Sequence, residues 1–202
     1  MPELEKQARK RRRRRNRALS IALFVIASVG LAWFFESQAT TTLVFVRHAE
    51  KAATPADNPG LTVAGTQRAL TLQRTLADID VVASLDAVYT SPYRRTIDTA
   101  RPIAREAGLE LSTFDVNDLN NAVVDIVRNH KGKIMLIVGH SNTSAPMIAE
   151  LGGSKKLPPI ADSEYDNLYI VTIPWFGKVK TLRLKYGAPS ASGDGAVASS
   201  AH

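Results

Sequence analysis

Two stretches constrain the fold more than any other part of this chain. They are Leu43 to Lys51, LVFVRHAEK, and Lys133 to Val138, KIMLIV, which runs on into Gly139 and His140. In each, the apolar residues follow one another without polar alternation, the pattern of a strand covered on both faces. Strands of that kind need helices on both sides of the sheet. Each also delivers a histidine to its C-terminal end.

The segments around them read as alternating strands and helices. The spacing predicts a first strand over Thr42–Val46, a turn at Asp57 to Gly60, and a helix capped by Thr62 that runs to Asp78 with Val63, Ala69, Leu70, Leu76 and Ala77 on its inner side. A second strand, Asp86–Tyr89, leads into Thr90, Ser91 and Pro92, then a helix over Tyr93–Ala107 stopped by Gly108. Leu109–Phe114 is a short strand and Asp118–Asn129 a helix. KIMLIV is the central parallel strand, followed by a helix from Asn142 to Gly152 and Gly153. Asn167–Ile173 and Val179–Leu184 form a closing hairpin, with Trp175 and Phe176 packed in it. The expected architecture is α/β, a three-layer α/β/α sandwich with a mostly parallel sheet over residues 40–186. From Gly187 to His202 the small polar composition predicts a disordered tail.

The formal charge of +7 is misleading until it is located. Residues 1–17 hold nine Lys and Arg against Glu3 and Glu5, which leaves 17 bases and 17 acids in residues 18–202. The body is neutral, so no nucleic-acid partner is expected for it. There is no cysteine, which excludes disulfides, thiolate metal sites and a cysteine nucleophile.

Residues 18–35, ALSIALFVIASVGLAWFF, carry no charge and would span about 27 Å as a helix. A buried core helix and a cleaved signal peptide, with Ser37 and Ala39 as small residues before a cut, are the competing readings. The apolar run exceeds a signal core, and an uncleaved transmembrane signal anchor is expected. Residues 1–17 then form a basic cytoplasmic segment, and the domain lies on the periplasmic side of the inner membrane. With Leu43 so close to the anchor, His48 is expected to work near the outer membrane face.

Right-handed crossovers place the strand C-termini on one edge, where Arg47 and His48, Ser91 to Arg95, and His140 to Thr143 meet. Arginine forks and a neutral imidazole suit a transferring phosphoryl group, which needs fixed cations and one nucleophile. Arg47 and His48 can share a pocket only if the strand ends there, because neighbours on a strand point to opposite faces. His130 and His202 read as solvated.

Arg47-His48-Ala49-Glu50, LTVAG at 61–65, SPYRRTIDTA at 91–100 and VGHSNT at 138–143 together resemble the histidine phosphatase superfamily, with Ala49 where the family has glycine. The resemblance implies a phosphatase in which His48 accepts the phosphoryl group and Arg47, Arg95 and His140 hold it; Arg95, not Arg94, has the matching motif position, so Arg94 is expected to face solvent. It also implies a carboxylic acid for the leaving group. Asp115 is the residue taken for that role, with Asp118, Asp162 and Glu164 as alternatives. Without such an acid, substrates narrow to those with good leaving groups, such as phosphohistidine or acyl phosphates. No cofactor or metal is expected. The partner is a phosphorylated small molecule or a membrane-associated substrate. A non-catalytic phosphate-binding module and a phosphoglycerate mutase-type phosphotransferase are the other functions open to such a chain.

Overall fold

A computed structural model describes residues 2–37, 40–79 and 85–190. It divides into two compact units, residues 1–39 and 40–202.

In the first unit, α1 (Pro2–Ser37) is one uninterrupted helix that carries both the basic run and the apolar run. Its apolar side chains are exposed, Phe24 and Trp33 by more than 70%. By length and composition the Arg9–Phe35 stretch can cross a membrane, a test that an N-terminal signal sequence also passes.

In the second unit the elements are β1 (Thr40–Arg47), α2 (Val63–Asp78), β2 (Ala87–Thr90), α3 (Arg94–Ala107), β3 (Leu111–Thr113), α4 (Leu119–Asn129), β4 (Ile134–Gly139), α5 (Ser144–Glu150), β5 (Asn167–Pro174) and β6 (Lys180–Lys185). They build a six-stranded sheet in the order β3-β2-β4-β1-β5-β6. β1 pairs in parallel with β4, β4 with β2 and β2 with β3, whereas β5 runs antiparallel to both β1 and β6. The sheet is mixed, as expected of a parallel core closed by a hairpin.

The run LVFV is apolar throughout because both sides of β1 are covered. Val44 and Val46 face Leu72, Leu76 and Ile103 of α2 and α3. Leu43 and Phe45 face Val123 and Ile126 of α4 and Met147 and Ile148 of α5. Thr62 caps α2 by accepting from the Gly65 N–H at 3.0 Å, and Asp118 caps α4 from Asn121. Gly108 closes α3 with φ 65°, a conformation that glycine adopts freely.

Two expectations fail. Gly187 to Ser190 packs on the body: Ala188 O accepts from Arg68 Nη1 at 3.0 Å, and Ser190 Oγ accepts from the Tyr165 N–H at 2.7 Å. The remainder of the expected tail lies outside the described residues. Trp175 and Phe176, expected as hairpin packing, lie at its tip 69% and 89% exposed.

Gly65 shows why LTVAG ends as it does. A Cβ there would run into the carbonyl of Glu50, which accepts the Thr62 N–H and seats α2 under the loop after β1. Gly65→Ala should therefore lower stability by about 1–3 kcal/mol, the usual range for overpacking, read from the urea midpoint of the chain.

Candidate active site

Parallel pairing sets Arg47 opposite Gly139, and the next residue of each strand is a histidine. β1 ends at this point: the His48 N–H still donates to Gly139 O at 2.9 Å, but the backbone then leaves the sheet, so Arg47 and His48 both reach the same cavity. The rings of His48 and His140 stand 5.3 Å apart, edge to face. The cavity, about 450 Å³, is also lined by Lys51, Tyr93, Arg95, Ser141 and Asp162. A larger cleft of about 700 Å³ between α2 and α3 contains neither histidine.

His48 has a defined tautomer. Its Nδ1 lies 2.7 Å from the carbonyl of Ala49, which can only accept, so Nδ1 carries the proton and Nε2 keeps its lone pair. The Ala49 N–H donates to Thr99 Oγ1 at 3.0 Å, and Thr99 in turn donates to Arg95 O. Among the described residues no side chain other than glycine needs a positive φ, so alanine fits at position 49 without backbone strain.

His140 sits in a directed chain of hydrogen bonds. Its Nδ1 lies 3.4 Å from Arg95 Nη2, which can only donate, so Nε2–H must donate to Ser91 Oγ at 2.9 Å. Ser91 Oγ meets Thr96 Oγ1 at 2.8 Å, and Thr96 donates onward to backbone carbonyls. The turn that follows is tied by Thr143 Oγ1, which accepts from His140 N–H at 2.7 Å. A Cβ on Gly139 would collide with that hydroxyl.

Each arginine lies over a tyrosine, with Arg47 4.5 Å above Tyr165 and Arg95 4.5 Å above Tyr93. Arg47 is nearly buried, and its Nη1 is shared by the carbonyls of Ala161, Asp162 and Glu164 at 2.7, 3.1 and 2.9 Å. Its Nη2 is 3.6 Å from Asp162 Oδ1. The Nε–H groups of Arg47 and Arg95 are buried without an acceptor in the protein.

Asp162 is thus the carboxylate that lines the cavity. Asp115 does not: the segment after β3 reaches the cavity through Val116 and Leu119, but Asp115 accepts from Asn117 in a separate cleft with Asp118 and Asp125. Glu164 bonds Ala161 N–H and Lys185, and Glu50 bonds Arg68 at 2.8 Å. Arg94 turns outward, as expected. His130, expected to be solvated, is half-buried, and its Nε2 meets Tyr89 Oη at 2.9 Å. His202 lies outside the described residues. Among the described residues no group of three or more His, Asp or Glu could hold a metal. Sequence reasoning missed Lys51, Tyr93 and Tyr165. Tyr93 stands inside the SPYRR segment and could have been found there, but Tyr165 has no local signal.

The fold recurs in solved structures. The protein histidine phosphatase SixA complexed with tungstate superposes with a TM-score of 0.57, at 18% identity over 71% of this chain and 96% of that one. Mycobacterial glucosyl-3-phosphoglycerate phosphatase gives 0.53, 14%, 74% and 99%, and phosphoglycerate mutase from Plasmodium falciparum gives 0.52, 18%, 80% and 99%. The fold is that of the histidine phosphatases. Residues 43–116 match the model of the histidine phosphatase superfamily (branch 1), a stretch that holds Arg47, His48 and Arg95 of this fold and stops short of His140. No curated protein matches the sequence.

Burial, followed by the charges of Arg47, His140 and Arg95, pushes His48 down from its ordinary 6.5 to about 3. Burial, then Arg95, Arg47 and Lys51, pushes His140 down to about 4. Both rings are neutral in the unliganded fold at neutral pH. The unfolded chain takes up protons near 6.5 that the folded chain refuses, so these groups destabilise the fold as pH falls from about 6.5 toward 4. The urea midpoint should fall across that window, and His48→Gln should flatten the fall.

Proposed function

We propose that the domain hydrolyses a phosphoryl compound through a phosphohistidine on His48, and that the chain is a membrane-anchored member of the histidine phosphatase superfamily. The observation that carries this reading is the His48 tautomer: Nδ1–H is locked on Ala49 O, and Nε2 is left as a neutral nucleophile in a cavity rimmed by cations. Nε2 attacks phosphorus, the N–P bond forms as the P–O or P–N bond to the leaving group breaks, and the ring becomes cationic. The Ala49 carbonyl stabilises that charge through the same hydrogen bond. Water then attacks phosphorus, the N–P bond breaks, and inorganic phosphate leaves with His48 restored.

Arg95, the Nη2 of Arg47 and Lys51 supply positive charge for the phosphoryl oxygens. A bound anion raises the pKa of a neighbouring imidazole, so His140 becomes able to donate to a phosphoryl oxygen once substrate is present. Ala49, which would otherwise favour a non-catalytic module, keeps both backbone contacts that the site needs.

The leaving group remains to be protonated. Asp162 is fully exposed on the loop held by Arg47, and no second carboxylate among the described residues lines the cavity. Substrates with leaving groups that depart without strong acid assistance, phosphoramidates and acyl phosphates, therefore suit this site better than alkyl esters. For α1 the basic run followed by 18 uncharged residues supports a single membrane span with the domain on the extracytoplasmic side.

The full chain in detergent should hydrolyse p-nitrophenyl phosphate and retain an acid-labile phosphoryl label, both abolished in His48→Ala. Equal turnover by that variant would sink the reading. Wild type should also turn over acetyl phosphate faster than glycerol phosphate, with Asp162→Asn changing the acetyl phosphate rate little.

A further inference from the structure

The neutral composition of the domain conceals a segregation of charge. At the end of the sheet opposite the catalytic edge, the register pairs Thr40, where the chain enters β1, with Pro174, the last residue of β5. The hairpin tip beyond Pro174 carries Trp175 and Phe176, followed by exposed Lys178 and Lys180. Two other loops gather at the same end. Lys133 O accepts from Thr42 N–H and Gly132 N–H donates to Thr41 Oγ1, which sets Lys131 and Lys133 beside the start of β1. Ser154 N–H donates to Thr181 Oγ1 at 3.0 Å, which brings Lys155 and Lys156 beside the start of β6. These six lysines share the end with Asp78, Asp86, Glu106, Glu110 and Glu150, of which Glu106 and Glu110 lie toward the β3 edge, away from the hairpin, and Asp86 already accepts from the Ile134 N–H at 2.9 Å.

An end with exposed aromatic residues at its tip and lysines around them has the chemistry of a lipid headgroup interface, where ring bodies bury and ammonium groups meet phosphates. An acidic protein would account for the lysines but not for a protruding Trp-Phe pair. The sequence supplies continuity: Gln38 and Ala39 alone stand between the apolar helix and Thr40.

We propose that this end of the domain docks on an anionic bilayer surface, with Trp175 and Phe176 in the headgroup region. The inference rests on α1 entering a membrane and is independent of the phosphatase reading. Its consequence concerns the substrate. From Thr40 to Arg47 is seven residue steps, about 23 Å at 3.3 Å per residue, so β1 carries His48 to the edge that faces away from the lipid. The substrate is then a phosphoryl group standing clear of the bilayer, on a soluble molecule or a protein, and not a phosphate at the lipid surface.

The two tryptophans of the chain are Trp33 and Trp175, so Trp33→Phe leaves Trp175 as sole reporter. The full-length variant is reconstituted into phosphatidylcholine vesicles with or without phosphatidylglycerol, using lipids brominated near the headgroup. The expected result is a blue shift and quenching of Trp175 emission in the anionic vesicles, both reduced in phosphatidylcholine alone and in Lys178→Glu/Lys180→Glu. Co-flotation with vesicles at high salt reports insertion of α1. Loss of flotation overturns the proposal together with the anchor, and leaves the phosphatase reading untouched. Flotation with Trp175 emission unquenched and solvent-like overturns the docking alone, as does equal quenching in the doubly substituted chain.

Discussion

The pairing of Arg47 with Gly139 across two parallel strands is the constraint on which the site depends. Because the strands run in the same direction, both chains leave the sheet at one edge, and the residue after each paired position is a histidine. A slip of one residue would turn each strand's side chains to the opposite face. That slip is resisted by the two layers of core, Val44 and Val46 on one side, Leu43 and Phe45 on the other. The apolar run therefore does more than bury area. It fixes which residue is the last in the ladder, and so which ring faces the cavity.

Arg47 shows how a buried cation is kept in place and kept charged. A guanidinium removed from water needs acceptors for its donors. Here three backbone carbonyls of the 161–164 turn provide them, and Tyr165 covers the plane of the group. Carbonyl dipoles solvate the charge without cancelling it, unlike a tight carboxylate pair, so a positive potential persists beside His48. The same potential, added to burial, keeps both imidazoles neutral until an anion arrives. Neutral rings and a guanidinium solvated by carbonyl dipoles are one electrostatic solution with two outcomes, an imidazole with a free lone pair and a positive potential in the same cavity.

Much of this was legible in the sequence because it is local or periodic. The strand ends with their histidines, the Thr62 and Asp118 caps and the Gly108 stop all follow from pattern within a few residues, whereas Arg95 as the inward member of its pair came from the family resemblance. What was not legible depends on chain segments far apart. The turn that holds Arg47 lies more than a hundred residues away, and nothing in ADSEYD announces that its carbonyls will converge on a guanidinium. The family resemblance points to the segment after β3, and that segment does reach the cavity through Val116 and Leu119, but Asp115 lies in the neighbouring cleft, a difference of side-chain direction that the sequence does not show. His130 found Tyr89 across a strand and a helix, a contact that leaves no trace in periodicity.

Net charge was the least informative number, since equal counts of acids and bases hid a polarised domain. Part of that polarity is ordinary. The crossover helices run antiparallel to the parallel strands, so their N-termini meet at the catalytic edge and their C-termini at the opposite end, where cations are favoured. Lys131 after α4 and Lys155 and Lys156 after α5 complement those termini, and alone they would need no partner. Lys178 and Lys180 flank Val179, which lies beside Gly152 at the end of α5, so the same complementation reaches them, but helix dipoles give no reason for Trp175 and Phe176 to stand exposed beside them. The helices explain cations at this end of the domain, whereas the hairpin explains why that end should meet something both apolar and anionic. Trp175 and Phe176 are therefore the side chains whose replacement separates a docking surface from helix-end complementation.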